Sequence, residues 1–351
     1  MTNRRDTRRR AGRPLRLRLR LRLRLRARSL VAAGLTAGLL GTSAACGLGT
    51  AGGYSPTGRL AGPIAQVPSL DGATLAVGSK NFTEQLVLGK MLVIVLQSAG
   101  ATVRDYTNIP GSASSRQAQV EGQVDAMWEY TGTGWVNYLG HSEPIPDEQQ
   151  QFDAVRDEDL QRNQLVWLKA APMNNTYAFA TRQDTAERLG INDLSELKDV
   201  PRDQRTFCVD SEFAARSDGF QPMLASYGLT YGQDVTDADV RLMTEGAIYA
   251  AIDSGQCTFG EVFTTDGRIK SLNLFVLEDD ENFFPKYNVS VVLREQALQE
   301  HPQLRELLEP ITAALTDDVL IGLNAQVDVD GLEPVDVAWA WLQEAGFLTA
   351  S

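Results

Sequence analysis

Cysteine and histidine are scarce: 3 Cys and 2 His in 351 residues. Three thiols cannot build a disulfide framework, and two imidazoles leave no room for a histidine-rich metal site. His141 sits in a polar loop before Pro144 and His301 ahead of a C-terminal helix, so neither has a nucleophile or carboxylate in a partner pattern. Glycine motifs for phosphate are missing as well, because Gly78-Ser79-Lys80 has no preceding glycine series. The acidic residues show no metal-ligand spacing. Without a nucleophile–base pair, a metal set or a cofactor motif, the chain is not read as an enzyme and no cofactor is expected.

Positive charge is missing from most of the chain. Residues 1–28 carry 13 Arg and one Asp; everything after them carries 20 Lys and Arg against 44 Asp and Glu. So acidic a body is unsuited to holding phosphate backbones, and nucleic acid is excluded as a partner. Long apolar runs are also lacking. The single candidate, Leu30–Ala45, is Gly- and Ala-rich and marginal for a bilayer. A basic lead, a short apolar segment and small residues before Cys46 is the layout of an export signal. Ser43-Ala44-Ala45-Cys46-Gly47 resembles the cleavage site of a bacterial lipoprotein, which implies lipid on Cys46 and attachment to the outer face of the cell membrane. Plain secretion and a retained anchor are the alternatives. Residues 1–45 are thus read as leader, and 46–70, rich in Gly, Pro, Ser and Thr, as a flexible tether.

What remains is ample for packed cores, with 43% hydrophobic residues, 5 Trp, 9 Tyr and 12 Phe. Thr74–Val77 predicts a strand, a helix follows from Thr83, read as its N-cap, to Gly100, and Val103–Asn108 predicts a second strand. A helix stopped at Gly122 and a strand Val124–Trp128 complete a parallel α/β unit. A similar succession returns about one lobe later: strand Arg205–Val209, helices ending at Gly228 and Gly255, strand Cys257–Phe259. Two extended stretches, 167–179 and 283–292, read as crossovers. This predicts two α/β lobes, 71–174 and 175–286, with 287–351 returning to complete the first. A cleft between two such lobes is the default ligand site. Cys208 and Cys257 fall at comparable points of two strands; they either pair as a disulfide, which export permits, or stay as buried thiols.

The strings GSKNFTEQ (78–85), WEYTGT (128–133), NNTYAFA (174–180), FTTDGRI (263–269) and FFPKYN (283–288) resemble those of the substrate-binding proteins of glycine betaine, carnitine and choline ABC importers. The similarity covers roughly 72–348, with the motifs in family order. It implies a type II periplasmic-binding fold, a quaternary ammonium solute as ligand, and a membrane permease with its ATPase as partner, the protein acting as a monomer. It also implies an aromatic box, whose walls carry over to Tyr130, Tyr177, Phe263 and Tyr287. The physics suits the cargo: trimethylammonium has no N–H to donate, whereas a ring face offers negative quadrupole and apolar contact together.

Other residues near these rings have two readings each. Lys80 and Asn81 either meet a ligand carboxylate or cap the helix that follows. Asn175 either bonds the ligand's polar end or pins the hinge backbone. Thr133 faces the ligand, and the backbone N–H groups at Gly111-Ser112, ahead of a helix, can cradle a carboxylate. Relatives with Gln after the first strand meet Lys80 here, and 111–115 lacks an acidic residue found in some choline-preferring relatives. The expected ligand is therefore glycine betaine, with choline or carnitine next and an amino-acid or polyamine ligand less favoured.

Overall fold

The computed structural model describes residues 54–350; the basic leader and Cys46 lie outside the described residues. Twelve strands occur among them: β1 (Gly58–Leu60), β2 (Thr74–Lys80), β3 (Thr102–Ile109), β4 (Ala126–Tyr130), β5 (Leu165–Ala170), β6 (Tyr177–Arg182), β7 (Phe207–Val209), β8 (Val240–Leu242), β9 (Phe259–Phe263), β10 (Leu274–Val276), β11 (Val289–Arg294) and β12 (Leu348–Ala350).

Two five-stranded sheets result, ordered β3-β2-β4-β11-β5 and β10-β6-β9-β7-β8. Each has three parallel strands, β3-β2-β4 in one and β8-β7-β9 in the other. Each is then extended antiparallel by a crossover strand, β11 beside β4 and β6 beside β9. The succession read twice in the sequence is thus one architecture built twice. It is the two-sheet arrangement of a type II periplasmic-binding fold. The chain leaves the first sheet after Ala170, enters the second at Tyr177 and returns to the first at Val289.

The central strands are covered on both faces, as parallel strands usually are: every residue of β2 except Thr74 is buried, and all of β4. Helix α1 (Thr83–Ser98) is apolar almost all round and correspondingly buried. It packs between β2, β3 and the helix Pro334–Glu344, and Trp128 Nε1 donates to its Leu88 carbonyl at 2.8 Å. Helix Asp317–Asp328 lies against α1 but also reaches the second half, where Asn324 Nδ2 donates to the Thr265 carbonyl at 3.0 Å and Asp328 meets Arg268 at 3.4 Å. Among the described residues no helix is long and apolar enough to cross a membrane.

The structure departs from the expected tether. From Gly58 onward that segment is folded: β1 pairs antiparallel with β12, and Ile64 and Leu70 are fully buried. Glycine and proline gave it a loop-like composition, but its few apolar side chains dock on the main core. Cys208, on β7, and Cys257, just ahead of the adjacent β9, are joined in a disulfide.

The largest apolar cluster runs from α1 through Tyr130, Tyr177 and Tyr287 to Phe179, Phe207 and Phe213. Three aromatic residues picked out in the sequence therefore lie where the two halves meet.

Candidate ligand-binding site

A cavity of about 750 Å³ opens between the ends of β2 and β4 on one side and those of β6, β7, β8 and β9 on the other. Strand ends are where an α/β sheet leaves room for ligand. Lys80, Asn81, Ser112, Tyr130, Thr133, Asn175, Tyr177, Phe263 and Tyr287, all singled out in the sequence, line this one cavity.

The rings form a continuous wall. Register places Tyr177 directly opposite Phe263 across β6 and β9, with centroids 5.1 Å apart. Tyr287 meets Tyr177 edge-on at 5.5 Å. Phe82 bridges the remaining gap, 5.5 Å from Phe263 and 6.0 Å from Tyr130. Phe82 was not among the expected residues, yet its position carried a signal. It is the residue before α1, where a capping Ser, Thr, Asp or Asn is the norm, and it caps nothing. A bulky ring in that place is free to face the cleft. Tyr287 is held by a close approach at Gly132, where a Cβ would come within 2.8 Å of its ring.

The hydroxyls of two rings are tied down by buried carboxylates. Tyr130 Oη donates to Glu84 Oε1 at 2.7 Å, and the same oxygen accepts from Asn175 Nδ2 at 3.0 Å. Glu84 Oε2 accepts from Thr265 Oγ1 at 2.5 Å and Asn324 Nδ2 at 3.1 Å. Burial raises the Glu84 carboxyl above its ordinary range, although the hydrogen bonds from Thr265, Tyr130, Asn324 and Asn175 all pull it down. Asn175 also receives Thr265 N–H on its Oδ1 at 3.4 Å. Both ends of its amide are thus bonded within the protein.

On the far wall, Tyr287 Oη donates to Asp218 Oδ2 at 2.7 Å. Arg216 clamps Asp218 through Nε at 2.7 Å and Nη2 at 2.6 Å, and Asn137 adds a bond at 3.0 Å. The Arg216 guanidinium lies 5.2 Å from the Tyr177 ring centroid, and its Nη2 reaches Thr133 Oγ1 at 3.4 Å. Burial opposes ionisation of Asp218, but the Arg216 charge and the hydrogen bonds from Arg216, Asn137 and Tyr287 outweigh it and hold the carboxyl below its ordinary value. A depressed native value means the ionised carboxylate stabilises the fold above the unfolded pKa, and that this contribution is lost as pH falls through the native one. Asp218→Asn is therefore expected to destabilise the protein at pH 7, with the difference from wild type shrinking as pH drops below the ordinary aspartate value of about 4. Urea unfolding across pH measures it; a constant difference at all pH would deny Asp218 this role.

The helix-capping expectations need correction. Lys80 does not cap α1: its Nζ is paired to Glu129 Oε2 at 2.8 Å and lies 5.1 Å from the Tyr130 ring centroid, while the residue lines the cavity. Glu129 sits on the strand next to β2, a pairing across 49 residues that no local pattern announces. Asn81 does not cap either; its Oδ1 accepts from Gly111 N–H at 3.2 Å and pins the loop before α2 (Ser112–Val120). Thr83 is likewise no cap, since its hydroxyl donates to Asp328 at 2.7 Å.

Of the two backbone N–H groups expected to cradle a carboxylate, Gly111 N–H serves Asn81, and only Ser112 meets a carboxylate, one of the protein itself. Gly111 has φ 76°, a left-handed geometry that turns the chain into α2. Ser112 N–H donates to Glu212 Oε2 at 3.0 Å, Ser112 Oγ donates to Glu212 Oε1, and Arg216 Nη1 approaches Oε1 at 3.4 Å. Burial works against the Glu212 charge, but Ser112, Lys80 and Arg216 together hold its carboxyl below the ordinary range. Among the described residues no three His, Cys, Asp or Glu side chains converge as a metal site.

The arrangement has relatives. Residues 73–344 match the family model for the substrate-binding domain of ABC-type glycine betaine transport systems. The chain is 39% identical to the glycine-betaine-binding protein of Pseudomonas aeruginosa over 279 residues, 77% of this chain and 88% of that one. The solved structure of apo YehZ from Escherichia coli is 30% identical and covers 78% of this chain and 99% of its own, with a TM-score of 0.59. A solved glycine betaine/carnitine/choline ABC transporter structure is 25% identical, covers 77% of this chain and 97% of its own, and has a TM-score of 0.63.

Proposed function

Because the chain belongs to the family of substrate-binding domains of ABC-type glycine betaine transport systems, we propose that it captures glycine betaine outside the cytoplasm and delivers it to an ABC permease. The observation that carries this reading is the ring wall of Tyr130, Phe82, Phe263, Tyr177 and Tyr287 around one cavity. Each desolvated ring face contributes about 2 kcal/mol toward a cation, so a few of them approach the roughly 8 kcal/mol of micromolar affinity. Donors at the same cavity, Ser112 N–H and the Arg216 guanidinium, hold the Glu212 carboxylate and so have the chemistry to hold the carboxylate at the other end of the zwitterion. The likeness to a named glycine-betaine-binding protein supports the same ligand. Function here is capture and closure: ligand bridging both walls shifts the population toward closed lobes.

A second reading, choline, is favoured by the charges. Lys80 and Arg216 are neutralised by Glu129 and Asp218, so the Glu212 carboxylate leaves an excess of negative charge at the lining, which suits a plain cation. Calorimetric titration with glycine betaine, carnitine, choline, proline and putrescine tests both readings. Tightest binding by glycine betaine is expected. Saturable binding of proline or putrescine alone would reject a quaternary ammonium ligand.

A further inference from the structure

Three buried or half-buried carboxylates meet the cationic and donor groups of the cavity, and they differ in one respect. Glu129, on Lys80, has a side chain with no exposure, and Asp218, on Arg216, is 4% exposed. Neither can leave without stranding a buried charge. Glu212 is different: its side chain is 37% exposed, and it extends from a five-residue helix, Ser211–Ala215, at the cavity mouth. It can rotate into water and keep its charge solvated. What it would vacate is a set of donors shaped for a carboxylate: Ser112 N–H, Ser112 Oγ–H and Arg216 Nη1, with the Lys80 ammonium lining the same cavity. The contact also crosses the cleft, since Ser112 follows β3 of the first sheet and Glu212 follows β7 of the second.

We propose that Glu212 is an internal substitute for the ligand carboxylate, a displaceable side chain that occupies this seat in the empty protein and must be expelled by a zwitterion but not by a plain cation. The proposal rests on the quaternary ammonium reading and deepens it by naming a residue that sets selectivity. A ligand that needs the seat binds only the fraction of molecules in which Glu212 has left, and its apparent Kd is weakened by that fraction. If the seat is filled nine times in ten, the penalty for glycine betaine is about tenfold. Choline has no carboxylate to place and gains from the nearby negative charge. Glu212 therefore biases the site from betaine toward choline, and the two ligands respond to its removal in opposite directions.

The experiment titrates wild type, Glu212→Gln and Glu212→Ala with glycine betaine and with choline at fixed ionic strength. Expected is a glycine betaine Kd about tenfold lower in both variants and a choline Kd about threefold higher, so that the selectivity ratio moves by about thirtyfold. Glutamine keeps the shape but loses the charge that Ser112 and Arg216 favour, so agreement between the two variants excludes a merely steric effect. Unchanged or weakened betaine binding in both variants would overturn the proposal while leaving the quaternary ammonium reading in place. Absence of binding by either ligand to any of the three proteins would overturn both.

Discussion

Tyr177→Leu is expected to weaken glycine betaine binding by at least about thirtyfold, the equivalent of the roughly 2 kcal/mol contributed by one desolvated ring face. Tyr177 is the ring on which the wall converges: Phe263, Tyr287 and Phe213 all touch it, and Arg216 covers one of its faces. Its hydroxyl makes no hydrogen bond to another described residue, unlike those of Tyr130 and Tyr287. Tyr177→Phe therefore keeps the ring, loses no anchor, and is expected to bind within about twofold of wild type. The contrast between the two substitutions isolates the π-face from size and burial. Calorimetry gives the affinities, and thermal unfolding checks that both variants are folded. Equal affinities for the leucine and phenylalanine variants would mean that the ring wall is only core packing, and the ligand assignment would fall with it.

Tyr177 could be picked out because a motif carried it and because it stands at the start of a strand leaving a crossover. The same holds for Tyr130 at the end of β4 and Phe263 at the end of β9: the periodicity of apolar residues locates strands, and strand ends locate a cleft. Partners across the chain were not legible in this way. Glu129 lies 49 residues from Lys80, Glu212 100 residues from Ser112, and Asp218 69 residues from Tyr287. Each is one acidic side chain among the 44 that follow the leader, and nothing local separates a structural carboxylate from a solvated one. This is why Lys80 read as meeting a ligand carboxylate or capping a helix, and Gly111-Ser112 as a cradle for a ligand carboxylate. Both readings had the donor right and missed the acceptor that the fold brings to it. The segment 58–70 was misread for a related reason: composition reports average flexibility, whereas Ile64 and Leu70 are fixed by contacts far along the chain.

Glu84 is the extreme case of such a partner, and its replacement carries the largest expected loss of stability. Its two oxygens collect Tyr130 from β4, Asn175 from the first crossover, Thr265 from the turn after β9 and Asn324 from the helix Asp317–Asp328. Glu84→Leu removes every acceptor and leaves four buried donors to find others. At about 1 kcal/mol or more for each unsatisfied group, the expected cost is about 4 kcal/mol, a fall in Tm on the order of 10 °C. Glu84→Gln should cost far less, about 1–1.5 kcal/mol. One oxygen still serves Tyr130 and Asn175, and the new NH2 faces Thr265, whose hydroxyl can rotate to accept; only Asn324 Nδ2 loses an acceptor, and it keeps its bond to the Thr265 carbonyl. Because Tyr130 loses its tether only in the leucine variant, ligand affinity should fall there as well and stay near wild type in the glutamine variant. Urea unfolding with unchanged m-values, together with calorimetric titration, separates the two effects. Equal destabilisation by leucine and glutamine would show that the charge of Glu84, rather than its count of acceptors, holds the two halves of the site together.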